Sequence, residues 1–204
     1  MTTKRVIDRP YGTYSVYIVE KSGIDVKCPQ CGKRGVVTAD RDGARFSCGS
    51  CGKSLTKDAG YYRYDIHNQC ESCSRYYRTS ITDEDGQRYP ALHVACPHCG
   101  HSMQGKIHKT RRGSWPIVDQ IGNGCEPRLG LELWFLSYFD GKPVWALNRE
   151  HLAYLIHYLE ADLREKPVAE YPVMRTQAAQ LPTFMKTAKN RDRIVKLLRQ
   201  MQVK

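Results

Sequence analysis

The sequence predicts an α+β protein: two consecutive small antiparallel β-hairpin modules, each carrying four cysteines, then a further β-hairpin and a C-terminal helical region. Three observations predict it. Eight of the nine cysteines fall into four Cys-x-x-Cys pairs, Cys28/Cys31, Cys48/Cys51, Cys70/Cys73 and Cys96/Cys99. Short β-branched and aromatic runs with Asp-Gly turns lie between the pairs, as in hairpins. Beyond residue 147 the apolar positions switch to spacings of three and four, the period of an amphipathic helix.

At 41% hydrophobic and 26% charged, the 204-residue chain has the composition of a globular protein rather than a disordered or fibrous one. Its 32 Lys/Arg against 21 Asp/Glu leave a formal net charge of +11, which favours a polyanionic partner. The longest apolar run, 131–139, contains Glu132 and is too short to cross a bilayer, so no membrane partner is expected. Basic residues near the N-terminus have no hydrophobic segment behind them, so no secretory signal is read and the expected location is cytoplasmic.

Taken in chain order, Thr13-Tyr14-Ser15-Val16-Tyr17-Ile18-Val19-Glu20 alternates and reads as a strand extending the first module's sheet. Cys28/Cys31 is followed after 16 residues by Cys48/Cys51, and Cys70/Cys73 after 22 residues by Cys96/Cys99. Each half therefore offers four thiolates, the set that tetrahedral zinc takes, and two zinc ions per chain are expected. Four such pairs strain a thioredoxin-like redox reading, which needs only two cysteines. Gly32, Gly52 and Gly100 follow their second cysteines and can take the positive φ that turns N–H groups toward sulfur. The third pair has Ser74 there instead, which predicts a looser turn.

The first module reads as strand 36–39, turn Asp40-Arg41-Asp42-Gly43 and strand 45–47. The second reads as strand 76–81, a turn at Asp83-Glu84-Asp85-Gly86 and strand 91–94. This doubled pattern, over roughly 25–109, resembles the zinc-ribbon family of the rubredoxin-like fold, found in transcription factors and RNA polymerase subunits. The resemblance implies structural metal sites without an open coordination position, and it does not imply one activity. Spacing alone still admits a cross-braced arrangement, with the first and third pairs sharing a metal, and a rubredoxin-like redox iron.

The boundaries drawn are a tandem ribbon region at 1–109 (ribbon one about 25–55, ribbon two about 67–109), a basic linker at 110–130, and a hairpin plus helical domain at 131–204. Lys106, Lys109, Arg111 and Arg112 gather ahead of Trp115-Pro116 as candidate phosphate contacts, or as an ordinary solvated linker. Residues 131–139 and 144–147 form a strand pair around Asp140-Gly141, with Trp134 and Trp145 read as buried aromatics rather than stacking platforms. Asn148 caps a helix whose apolar face is Leu152, Leu155, Ile156, Leu159 and Leu163. Two short helices close the chain, the first starting near Pro182 and the second capped by Asn190. They carry seven Lys/Arg against one acid, of which Lys186, Lys189, Arg191, Arg193, Lys196 and Arg199 are candidate phosphate contacts on a shared face. The alternative for them is an ordinary solvated helix face. Cys125 has no partner by spacing.

No Walker loop, nucleophile elbow, dinucleotide fingerprint or nuclease-type carboxylate cluster occurs, so no catalytic residue is assigned. The residues 131–204 are similar to the C-terminal half of bacterial zinc-ribbon proteins. A second, less detailed similarity in size, charge and order of parts is to the cysteine-pair-bearing large subunit of type IV CRISPR effector complexes. These resemblances imply a non-enzymatic zinc protein that binds DNA or RNA among other protein subunits; the alternative is an adaptor that uses its ribbons to dock proteins.

Overall fold

The computed structural model describes residues 3–83, 89, 91–105, 107–113, 121–167 and 175–204. It is an α+β structure of small sheets and a few helices. The chain divides into two compact units. Unit one is Met1–Asp40, Ala44–Thr56 and Ile117–Lys204; unit two is Arg41–Gly43 and Lys57–Pro116. This division differs from the one drawn from composition: the first four cysteines share a unit with the C-terminal hairpin and helices, not with the second four.

Unit one begins with β1 (Arg5–Ile7) and α1 (Val16–Ser22). The latter corrects the strand expected at 13–20. Val16, Val19 and Glu20 are buried at a spacing of three and four, while Tyr17 and Ile18 face solvent. The apparent alternation of the sequence came from exposed aromatic and apolar side chains that never reach the core. Gly23, at φ 124°, ends the helix and donates its N–H to Val19 O at 2.8 Å.

The sheet that follows is a meander, in the order β2 (Ile24–Lys27), β3 (Arg34–Ala39), β4 (Gly43–Ser47) and β5 (Ser54–Asp58). The expected hairpin around 40–43 forms, pairing Val37 with Phe46 and Ala39 with Ala44. Ile24, Val26, Val37 and Phe46 are fully buried and carry the sheet's inner face. Gly35 leaves room for the Phe46 ring, which a Cβ at that position would strike.

Unit two contains β6 (Tyr61–Gln69), β7 (Tyr76–Asp83), β8 (Leu92–Ala95), β9 (Ser102–Gly105) and β10 (Ile107–Arg112). Strands 76–81 and 91–94 were expected to pair with each other. Instead β7 pairs with β6 and β8 with β9, so the strands flanking each cysteine pair are the ones that hydrogen-bond. The physical reason is loop closure: a six-residue cysteine turn joins β6 to β7 and another joins β8 to β9, and short loops close at least entropic cost. Of the expected turn between β7 and β8, residues 84–86 lie outside the described residues, as does the Trp115-Pro116 boundary. The basic stretch is a strand rather than a linker through residue 112, because β10 pairs antiparallel with β6.

The chain returns to unit one as β11 (Phe135–Phe139) and β12 (Lys142–Ala146), the expected hairpin, turning at Asp140 (φ 47°) and Gly141 (φ 76°). Asn148 Oδ1 accepts the His151 N–H at 2.9 Å and starts α2 (Arg149–Glu160), as expected. Leu163 leaves the helix, however, and lies in β13 (Leu163–Glu165), which pairs in parallel with β1. α3 (Thr183–Lys186) and α4 (Ala188–Gln202) close the chain. α4 starts one residue after Thr187, so Asn190 is inside the helix rather than at its cap; its Nδ2 donates to Phe184 O at 3.0 Å. Trp134 and Trp145 pack against the core as expected, and they are partly rather than fully buried. Leu147, Leu152, Ile194 and Leu198 are fully buried in the same cluster as Val26 and Phe46, so helices and sheet share one core. No described helix is long and apolar enough to cross a membrane.

Candidate metal centres

Each Cys-x-x-Cys pair sits at the tip of a hairpin, and all four tips are built alike. The first cysteine of each pair donates its N–H to the carbonyl five residues on: Cys28 to Lys33, Cys48 to Lys53, Cys70 to Arg75 and Cys96 to His101, at 2.8–2.9 Å. Its own carbonyl accepts the N–H four residues on, from Gly32, Gly52, Ser74 and Gly100. That second bond requires left-handed backbone, and the four residues have φ of 70°, 73°, 56° and 74°. The looser third turn expected from Ser74 is therefore not found. Ser74 takes the glycine conformation, at a cost of about 1 kcal/mol for an L residue.

The sulfurs gather in two groups, Cys28, Cys31, Cys48 and Cys51 in unit one and Cys70, Cys73, Cys96 and Cys99 in unit two, each with all four Sγ atoms within 4.8 Å of one another. Consecutive pairs thus share a site, and the cross-braced arrangement is excluded. Cys28–Cys51 and Cys31–Cys48 are 3.7 and 3.6 Å apart, and Cys70–Cys99 and Cys73–Cys96 are 3.6 and 3.8 Å apart. A disulfide would need about 2.05 Å. A tetrahedron with metal–sulfur bonds of about 2.3 Å has edges of about 3.8 Å, so each group fits a four-coordinate thiophilic ion.

Four thiols this close cannot all ionise without a cation. Cys48 is drawn down to about 6, chiefly by the backbone N–H of Ser50, and Cys70 to about 6 by that of Cys73. At Cys51 the Lys53 N–H acts to lower the pKa, but burial and the other thiols outweigh it and push it up to about 12. Cys73 likewise rises to about 11 against the Arg75 N–H. An ion binding here displaces those protons and becomes the counter-charge that lets the cluster persist. The first cysteine of every pair is buried, whereas Cys31, Cys51 and Cys73 are half-buried and Cys99 is exposed.

The cations named from sequence are dispersed. Lys106 lies outside the described residues; Lys109, Arg111 and Arg112 occupy β10 opposite Tyr64, Tyr62 and Tyr61. At about 100° per residue, Lys189, Arg193 and Lys196 share one outer face of α4, with Arg199 at its flank. Arg193 is paired with Asp140 at 3.1 Å and Arg199 with Glu160 at 2.6 Å. Arg191 falls on the inner side and is half-buried. Lys186, on α3, donates to Ala178 O at 3.4 Å.

Sequence reasoning missed two features. Along β6 and β7, register places Arg63, His67, Arg78 and Tyr76 on one face of the three-stranded sheet. His108 joins them from β10, its ring stacked on His67 at 4.4 Å. Asp65 is the acid in their midst, 3.1 Å from Arg63 and 3.8 Å from Arg78. Strand periodicity in 61–69 is the signal that could have found this face. In unit one, Glu126 is fully buried and accepts the N–H groups of Arg128, Leu129 and Leu131 at 2.7, 2.8 and 3.1 Å. Arg128 forks onto Glu20 at 2.8 and 3.0 Å, both side chains being almost wholly buried. No local motif announces a pair 108 residues apart. Cys125 is half-buried and forms an isolated bridge with Glu132.

Compared with protein-family models, with curated proteins and with solved structures, the chain has no match. Fold and site define an α+β protein with two tetra-cysteine groups, each able to hold a metal ion.

Proposed function

We propose that this is a non-enzymatic zinc protein that binds nucleic acid as a subunit of a larger nucleoprotein complex, each tetra-cysteine group being the zinc site of a ribbon. The observation that carries the reading is the outer face of β6, β7 and β10 in unit two. Arg63, Arg78, His67 and His108 surround one carboxylate there, and Tyr76 stands 65% exposed beside them. Guanidinium groups fork onto phosphate, and an exposed tyrosine ring offers a surface on which a base stacks. The net charge of +11 supports the same partner at long range, since phosphate binding releases condensed counterions. Further candidates for backbone contacts are Arg112, which shares the register face of Arg63, and Lys189 and Lys196 on α4, whereas Lys109 and Arg111 take the alternate register positions of β10.

The test is binding of the metal-loaded protein to DNA and RNA, single- and double-stranded, across a salt series. Affinity is expected to fall linearly on a log–log plot. The double variant Arg63→Ala, Arg78→Ala should lower the slope by about 1.5 to 2 units. Affinity that is flat with salt, or retention of a protein partner without nucleic acid, would overturn this reading in favour of a docking adaptor.

A further inference from the structure

Unit one holds a cavity of about 320 Å³ lined by Tyr14, Trp145, His151, Gln180 and Phe184 among apolar neighbours, with Lys142 also in its wall. That volume lies at the small end of ligand pockets and suits a base, with its sugar and phosphate toward the open side. The rings form an ordered wall: Tyr14 stacks on His151 with centroids 4.6 Å apart and planes 5° from parallel, and Trp145 meets His151 edge-on at 6.0 Å.

Two side chains of this wall, Gln180 and His151, carry a donor oriented by its neighbours. Gln177, almost fully buried, accepts the Tyr14 N–H on Oε1 at 3.3 Å, so its Nε2 must donate, which it does to Gln180 Oε1 at 2.7 Å. Gln180 therefore has its acceptor occupied, and its Nε2 is buried with no partner among the described residues. An unpaired buried donor costs about 1–3 kcal/mol. His151 Nδ1 accepts the Leu147 N–H at 3.3 Å, which leaves the proton on Nε2. Burial holds this imidazole neutral, its pKa lowered to about 3, so it stays a single-proton donor in neutral solution. Lys142, on the hairpin and exposed, holds its ammonium 5.2 Å above the Phe184 ring. Two neutral donors, a cation and four aromatic rings favour a flat ligand that is rich in acceptors and negatively charged.

We propose that this cavity binds an oxo-substituted heteroaromatic ring bearing an anionic group, the chemistry of a uridine or guanosine nucleotide. The ring packs among Trp145, Phe184 and the Tyr14–His151 stack, its carbonyl oxygens accept from His151 Nε2 and from Gln180 Nε2 once that enclosed, unpartnered amide turns toward the ring, and its phosphate pairs with Lys142. Two sources supply that chemistry, a free mononucleotide and a base turned out of a single strand. The proposal does not depend on the sheet face of unit two.

Calorimetric titration of the metal-loaded full chain with UMP, GMP, AMP and uridine tests it. Saturable binding of UMP or GMP is expected at ligand concentrations up to about 1 mM, with AMP weaker by about tenfold. Lys142→Ala, at an exposed position, should weaken UMP by about tenfold and leave uridine unchanged. Gln180→Glu keeps the acceptor for Gln177 but turns the donor into an acceptor, and should abolish binding. A single-stranded oligonucleotide that binds more tightly and competes with UMP assigns the source as a strand; equal or weaker binding assigns it as free nucleotide. No saturable heat with either UMP or GMP, or affinities indifferent to both substitutions in folded variants, would overturn the proposal. Arg63→Ala, Arg78→Ala should leave UMP binding unchanged, so failure here and failure of strand binding are read separately.

Discussion

The two tetra-cysteine groups have the same turns and the same sulfur spacing, but very different surroundings. In unit one, Cys28 and Cys48 belong to a core that also contains Phe46, Leu133, Leu152 and Ile194, drawn from sheet, loop and helices. In unit two, Cys70 and Cys96 make up a third of a cluster whose other members are Ile66, Tyr77, Val94 and Met103. Hydrophobic stabilisation scales with buried apolar area, at about 25 cal/mol per Å². Unit two has little of it among the described residues, so a metal ion held by its four cysteines would supply a larger share of its stability than in unit one. The same hairpin tip is thus an addition to a core in one place and a substitute for one in the other.

Metal removal should expose this difference most sharply. Native protein is expected to carry two thiophilic ions, countable by elemental analysis. A strong chelator withdraws about 10 kcal/mol or more of apparent binding free energy from each site. Hydrogen exchange should then show β6 to β10 losing protection together, while α2 and α4 keep theirs. Equal loss in both units would break the contrast. Cys96→Ser should reproduce the unit-two loss alone.

A smaller effect, of opposite location, is expected from the Glu20–Arg128 pair. Glu20→Gln leaves a buried guanidinium without its counter-charge and should cost unit one about 3–5 kcal/mol in denaturant unfolding. Glu20→Leu combined with Arg128→Met should recover much of that loss, because no charge then remains to be desolvated. The cysteine turns of unit two should be unmoved, as read by their exchange protection.

The smallest effect sharpens the likeness of the turns. Ser74→Gly removes left-handed strain of about 1 kcal/mol, part of which is offset by the added freedom of the unfolded chain. Unit two should gain about 0.5 kcal/mol in its metal-loaded form. Gly100→Ser, which imposes the same strain on the neighbouring tip, should lose a similar amount.

The cysteine spacing was enough to read the four Cys-x-x-Cys turns, because such a turn is a local object whose geometry needs few neighbours, while which pairs share a site came from the fold. Asp140-Gly141 and Asn148 were equally legible, one as a hairpin turn and the other as a helix cap, since each acts through atoms within three residues. The segment 13–20 was misread because alternation of residue type marks a strand only where every second side chain is buried, and Tyr17 and Ile18 are not.

What local pattern could not supply was partnership. That β7 chooses β6 over β8, that β1 finds β13 from the far end of the chain, and that Glu20 meets Arg128 all depend on which apolar faces are covered together. The cavity of unit one is of the same kind. Gln180 and His151 acquire their roles from Gln177 and from the Leu147 backbone, groups that folding brings within hydrogen-bond reach and that composition and spacing do not reveal. Turns and caps are written in adjacent residues, while cores and cavities are settled by the burial of surfaces far apart in the chain.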